Sequence, residues 1–400
     1  MARVELAWEL GAHTGHVSTL LPIGRELKSR GHEVRFFMQQ PQAGADLAGA
    51  AEIPREGAPH WVGPKIYENP LSVAEILANF GYHDARPLKE LLDAWRERLW
   101  LSQAVVASVA PAAHLAALTL GIPSFEISQG FHVPPPTFPT PPLRDWEPAP
   151  RGRLEDSDRR VLGAINGALA AYGVEPLATL GELFARRTVL LTYPELDIYP
   201  ERGPAEYYGI PHSSEGSLAP EWPAGDGPRV FAYLYHYYDQ LPGLLDALAA
   251  IGARTLMLCR GVAADLRRKH AGGSIVLSDE PMAASRLLPQ CDLVVCHGSH
   301  QMTAQALLAG KPVFLLPTQL EQFLITRRVV RFGAGLGVAP GTQNPDFAAA
   351  FAELSRKLGF AHKAAEFAAR YRDHDRGAAL ATMVKRCEAA LAQAEISAGH

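Results

Sequence analysis

The chain has 400 residues, 38 of them Lys or Arg and 42 Asp or Glu, giving a formal net charge of −4, and 48% are hydrophobic. A single core stops growing at roughly 250–300 residues, so this length requires two domains. The near-neutral, mixed charge excludes the basic face of a nucleic-acid binder, and the hydrophobic fraction excludes global disorder.

The amino terminus, from Met1 to Glu9, carries charges where a signal peptide needs an apolar stretch, and no apolar run reaches the roughly 18 residues of a membrane span. A cytoplasmic protein without stable membrane insertion is expected. Val4 to Trp8 reads as a strand and is followed by the loop Gly11-Ala12-His13-Thr14-Gly15-His16. Val17, Leu20, Leu21, Gly24 and Leu27 then recur at helical spacing, Gly31 supplies a cap, and Val34 to Met38 reads as a second strand. Strand, helix and strand in so short a span is a βαβ unit, which requires a parallel sheet.

Further along, Ala104–Ala107 and Ile122–Ile127 read as strands on either side of an Ala-rich helix near 111–120. The stretch from Pro134 to Pro150 holds eight prolines and cannot be helix or central strand. A helical region is expected over 155–186, then an apolar strand from Thr188 to Leu191. Pro, Gly, Ser and Glu dominate residues 200–228, the pattern of a linker.

A second alternation follows, with strands near 230–234, 254–258, 274–277, 293–296 and 313–316. Helices are expected between them near 240–251, 263–270, 282–288 and 301–309, and the tail from Pro345 to Glu395 is helical in pattern. The fold class is α/β, with two doubly wound parallel-sheet domains. Cys259, Cys291, Cys296 and Cys387 form no C-x-x-C pair and read as small buried hydrophobes, so neither a structural metal nor a disulfide framework is expected.

The densest polar constellation begins at the end of the strand Leu293–Cys296. It runs His297-Gly298-Ser299-His300-Gln301-Met302-Thr303-Ala304-Gln305-Ala306, continues through Gly310-Lys311-Pro312 to Pro317, and reaches Glu321-Gln322. The strand delivers His297, Gly298 and Ser299 to the carboxyl end of a parallel sheet where a helix begins. Backbone N–H groups there favour phosphate oxygens.

This order of residues resembles the donor-site signature of nucleotide-sugar glycosyltransferases of the UDP-glucuronosyltransferase-like superfamily, bacterial type: H-G-G-x-G-T-x-x-E-A, then G-x-P-x-x-x-x-P, then D/E-Q. Gly15-His16, the run Arg30-Gly31-His32-Glu33-Val34 and Tyr208-Gly209-Ile210 match the family elsewhere. The resemblance implies the GT-B fold, two Rossmann-like domains facing a cleft. Residues 1–210 would bind the acceptor, 211–228 form the linker, 229–375 bind the nucleotide sugar, and 376–400 form a helix packing back on the first domain. It implies an inverting, metal-independent sugar transfer from a UDP- or dTDP-linked donor to the hydroxyl of a small apolar or aromatic acceptor, with no cofactor beyond the co-substrate.

Carried over by position, His297 and the backbone of Gly298 and Ser299 would hold the diphosphate, with His300, Gln301 and Thr303 as further donor-binding candidates. Gln305 would meet the ribose, and Glu321 and Gln322 the sugar. His236 and Met282 are further donor-side candidates. For each an ordinary reading stands beside this one; Gln305 could be a solvated helix residue and Glu321 an acid near a helix start. The sequence departs from the signature at Ser299, Gln301, Met302 and Gln305. Gln305 removes a charge that would accept from two ribose hydroxyls, which points to a donor lacking the 2′-hydroxyl, such as a dTDP-sugar.

Removing the acceptor proton needs a group near pKa 7, and the resemblance assigns that role to His16, with His13 as the alternative. Ser108 stands where the family carries the acid that orients this His, and Glu9 is a possible replacement. Tyr233, Tyr235, Tyr237 and Tyr238 crowd a turn that is small in the family. Trp61, Tyr67, Phe80, Tyr82, Trp95, Trp100, Phe131, Phe138 and Trp146 could line an acceptor pocket or lie in the core. Two other functions stay open: a catalytically silent nucleotide-sugar-binding partner protein, and a nucleotide-sugar epimerase.

Overall fold

The computed structural model describes residues 1–11, 15–45, 47, 49–185, 188–211 and 218–398. They form two compact units: Met1–Thr192 with Tyr199–Pro211 and Arg376–His400, and Tyr193–Ile198 with His212–Asp375.

The first unit comprises β1 (Arg3–Trp8), α1 (Gly15–Ser29), β2 (Glu33–Met38), β3 (Arg55–Gly57), α2 (Val73–Leu77), α3 (Ala85–Leu99), β4 (Ala104–Ala107), α4 (Pro111–Leu120), β5 (Ser124–Ser128), α5 (Arg151–Ala170), α6 (Glu182–Ala185) and β6 (Thr188–Leu190). All pairings are parallel, in the order β3-β2-β1-β4-β5-β6. Val17, Leu20, Leu21, Ile23 and Leu27 of α1 are buried on the sheet with Val4, Leu6 and Trp8. The helix expected over 155–186 is two pieces. α5 ends at Ala170, and Gly173, in the left-handed region, and Pro176 carry the chain away from helical geometry. Tyr82 and Trp95 are fully buried, so these two aromatics belong to the core and line no acceptor pocket.

The second unit holds β7 (Arg229–Tyr233), α7 (Leu241–Ala250), β8 (Arg254–Leu258), α8 (Ala264–His270), β9 (Ile275–Ser278), α9 (Ala284–Leu287), β10 (Leu293–Cys296), α10 (His300–Leu308), β11 (Val313–Leu315), α11 (Leu320–Phe332), β12 (Gly335–Gly337), α12 (Phe347–Arg356) and α13 (Leu358–Arg370). Its sheet, β12-β11-β10-β7-β8-β9, repeats the topology of the first. Its core joins Val230, Ala232 and Val295 of the sheet to Leu244, Leu248, Phe347 and Phe351 of the helices.

The last helix, α14 (Ala378–Ala398), belongs to the first unit. Its buried stripe of Ala379, Met383, Val384, Cys387 and Leu391 joins the core beneath α1. No helix among the described residues is long and apolar enough to cross a membrane.

Candidate active site

In a sheet of this order the connections after the two central strands run in opposite directions, and a crevice opens at their carboxyl ends. In the first unit those strands are β1 and β4, in register with Ala7 opposite Ala107. Each delivers one residue to the crevice. His16 begins α1 just after β1, and Ser108 follows β4. His16 Nδ1 lies 3.1 Å from Ser108 Oγ. The imidazole stacks on Trp8, ring centroids 5.4 Å apart. In the tautomer that donates Nδ1–H to Ser108, Nε2 carries the ring's lone pair. Gly11, at φ 91°, backs onto that nitrogen; a Cβ there would stand 2.9 Å from Nε2.

Glu9 does not orient His16. Its Oε1 accepts from the Tyr82 hydroxyl at 2.9 Å and its Oε2 from the Ala112 amide at 2.8 Å. Burial pushes this carboxyl up to about 8, against the pull of those hydrogen bonds. His13 lies outside the described residues.

Behind Ser108 stands a cluster that the sequence reading missed. Glu126 of β5 is buried and accepts from the Val109 amide at 2.9 Å. It also lies 2.9 Å from His114 Nε2 and 3.1 Å from His132 Nε2. Burial raises its carboxyl, but the bonds to His114 and His132 outweigh burial and hold it below the ordinary value. A charge inside the apolar strand Ser124-Phe125-Glu126-Ile127 was the available signal.

In the second unit the corresponding crevice lies at the ends of β7 and β10, with Tyr233 opposite Cys296. His297 follows β10 and is buried. Its Nδ1 lies 2.6 Å from the Leu316 carbonyl, and its Nε2 accepts from the Tyr235 amide at 2.9 Å. Both ring nitrogens are thus engaged within the protein, which corrects the expectation of a phosphate donor. Burial lowers its pKa, against the pull of the Leu316 carbonyl, and favours the neutral ring. Tyr235 stacks on it at 4.6 Å, with Tyr237 stacked on Tyr235 in turn at 5.0 Å. The tyrosine-rich turn therefore packs upon His297.

Gly298 has φ 82°, and a Cβ there would stand 2.8 Å from the Gln322 carbonyl and 2.9 Å from Thr326 Oγ1. Only glycine allows this turn to lie against α11. Ser299 follows at the start of α10, half-buried, and its side chain makes no capping bond. The first amides of α10 are therefore not capped by that hydroxyl.

The other candidates divide. His300 is buried, and desolvation lowers its pKa to about 4 against the field of Asp197, which favours the neutral ring. Thr303 is fully buried with its hydroxyl 3.9 Å from Cys296 Sγ. Gln322 is buried and accepts from the Thr318 amide at 2.9 Å, closing the turn before α11. Met282 pairs by its backbone with Leu218. Gln301, Gln305 and Glu321 remain half-buried on α10 and α11. His236 is exposed and borders a hollow of about 520 Å3 with Tyr237, Tyr238, Val262 and Lys269.

No protein-family model matches the sequence, and no curated protein matches it. Solved structures match nearly its whole length. The glycosyltransferase SsfS6 of Streptomyces sp. SF2575 is 20% identical, with a TM-score of 0.60 over 97% of this chain and 100% of that one. Glycosyltransferase VinC, solved in complex with dTDP, is 17% identical, with a TM-score of 0.63 over 96% of this chain and 100% of that one. The spinosyn rhamnosyltransferase SpnG, solved with the spinosyn aglycone, is 16% identical, with a TM-score of 0.61 over 96% and 100%. The chain has the GT-B fold of these enzymes.

Proposed function

We propose that the chain is an inverting, metal-independent glycosyltransferase, moving a sugar from a nucleoside diphosphate donor to a hydroxyl of a small apolar or aromatic acceptor. The observation that carries this reading is the His16–Ser108 pair at the switch point of the first sheet. His16 Nε2 takes the acceptor proton as the oxygen attacks the anomeric carbon, and Ser108 holds the ring's tautomer. In the second unit, the Gly298 turn brings the backbone to the start of α10, whose N–H groups and dipole stabilise the leaving diphosphate. Ser299 and Gln301 lie at that helix start, and Glu321 faces the sugar.

The donor is dTDP-linked. Gln305 stands where an acid would bind two ribose hydroxyls, and a deoxyribose lacks one of them. VinC and SsfS6 were both solved with this nucleotide, which supports the choice. The four cysteines are free and buried, which suits a reducing compartment such as the cytoplasm.

Incubation with a panel of dTDP- and UDP-sugars, with and without mixed hydroxyl acceptors, tests the reading. Glycosylated acceptor is the expected product. Interconverted nucleotide sugar would indicate an epimerase. Nucleotide binding without turnover would favour the silent binding partner, a second reading supported by the hydroxyl, in place of a carboxylate, beside His16.

A further inference from the structure

We propose that Glu126 is a positioning residue for the His16–Ser108 pair: it holds the Val109 amide, and the left-handed turn so fixed sets the Ser108 hydroxyl against the imidazole. Val109 has φ 56°, a conformation costly for a β-branched residue. Such strain persists only where the surroundings over-determine it.

Here they do, from both sides of the peptide. The Val109 N–H is donated to Glu126 Oε1 at 2.9 Å. The Val109 carbonyl accepts from the amides of Glu9 at 3.2 Å and Leu10 at 2.9 Å, just past β1. The Ser108 amide is donated to the Ala7 carbonyl at 2.9 Å, which closes the turn. Three strands, β1 and β4 at their ends and β5 at its middle residue, are thereby tied to Val109, and Ser108 is its immediate neighbour.

Glu126 is itself anchored. His114 holds its second oxygen, and His132 shares the first with Val109. His132 Nε2 also lies 3.2 Å from Ser128 Oγ, which accepts from the Gly130 amide. Without the carboxylate, the Val109 amide loses its acceptor and the left-handed turn is held from the carbonyl side alone.

The inference rests on the glycosyltransferase reading for its kinetic test, and a spectroscopic test stands apart from it. Glu126→Ala should lower kcat about 100-fold, the scale of a small misplacement of a catalytic group, with donor KM and dTDP affinity within about twofold of wild type. Adding Val109→Gly, which adopts the left-handed turn without strain, should recover about tenfold of that loss. Glu126→Gln, which keeps an acceptor for the Val109 amide, should retain most of the activity. Unchanged kcat in Glu126→Ala, or no recovery in the double variant, overturns the proposal.

Independently of turnover, the nitrogen-15 spectrum of His16 in Glu126→Ala should change as it does in Ser108→Ala. A wild-type His16 spectrum there overturns the proposal even if no acceptor is ever found. Should Glu126→Ala fail to fold, Glu126→Met, which keeps the volume and removes the acceptor of the Val109 amide, gives the same comparison: its His16 spectrum should change as in Ser108→Ala, and a wild-type spectrum there overturns the proposal. Absence of transfer by the wild-type protein would sink the enzymatic reading alone.

Discussion

Ser108 Oγ lies 3.1 Å from His16 Nδ1, so the partner of the proposed base is a hydroxyl. A hydroxyl fixes the tautomer of the ring and offers no charge to an imidazolium. Ser108→Ala should therefore lower kcat by about tenfold, less than the loss of a charged partner costs. Ser108→Asp should move the acid limb of the kcat–pH profile to higher pH, because a carboxylate favours the imidazolium. An acid limb that stays in place in the Asp variant contradicts the pairing.

Glu9 gives the stability a pH dependence of predictable sign. Its folded pKa is about 8, raised by burial from 4.5. The folded chain thus binds a proton that the unfolded chain releases, and stability falls as pH rises from 4.5 toward 8. The contribution is whole below the unfolded value and lost through the folded one. Tm measured across this window should decline more steeply for wild type than for Glu9→Gln. Parallel curves would show that Glu9 is not held protonated.

Gly298→Ala places a methyl 2.8 Å from the Gln322 carbonyl at a φ of 82°. The left-handed conformation alone costs about 1–2 kcal/mol in a non-glycine residue, and the contact adds to it. Calorimetry with dTDP should show at least about tenfold weaker binding together with a lowered Tm. Unaltered affinity would separate the turn from the nucleotide.

Gln305 tests the donor assignment. Gln305→Glu restores an acceptor for both ribose hydroxyls, and the ratio of UDP to dTDP affinity should rise about tenfold, the worth of one charge-assisted hydrogen bond. An unchanged ratio would remove Gln305 from the ribose site.

The local rules that were readable are those the chain carries in one stretch. The stripe of Val17, Leu20, Leu21 and Leu27 and the runs Val4–Trp8 and Leu293–Cys296 are periodic or apolar enough to reveal α1, β1 and β10. The edge strands Arg55–Gly57 and Gly335–Gly337 are three residues long and exist through backbone pairing, Arg55 with Phe36 and Gly335 with Val313, so no side-chain pattern marks them. The same holds at the site. His16 and Ser108 were nameable because the resemblance assigns roles to the residues at those places after two strands. The engagement of His297 with the Tyr235 amide joins residues 62 apart, and that of Val109 with Glu126 joins residues 17 apart. Such bonds use backbone groups that every residue carries, and only the sheet order brings them together.

The most direct test is turnover by wild type and His16→Ala with a dTDP-sugar and a hydroxyl acceptor, measured alongside dTDP affinity. Transfer by wild type is expected, with its loss in His16→Ala by at least about 100-fold and equal nucleotide affinity in both. Retained transfer in His16→Ala would contradict His16 as the base.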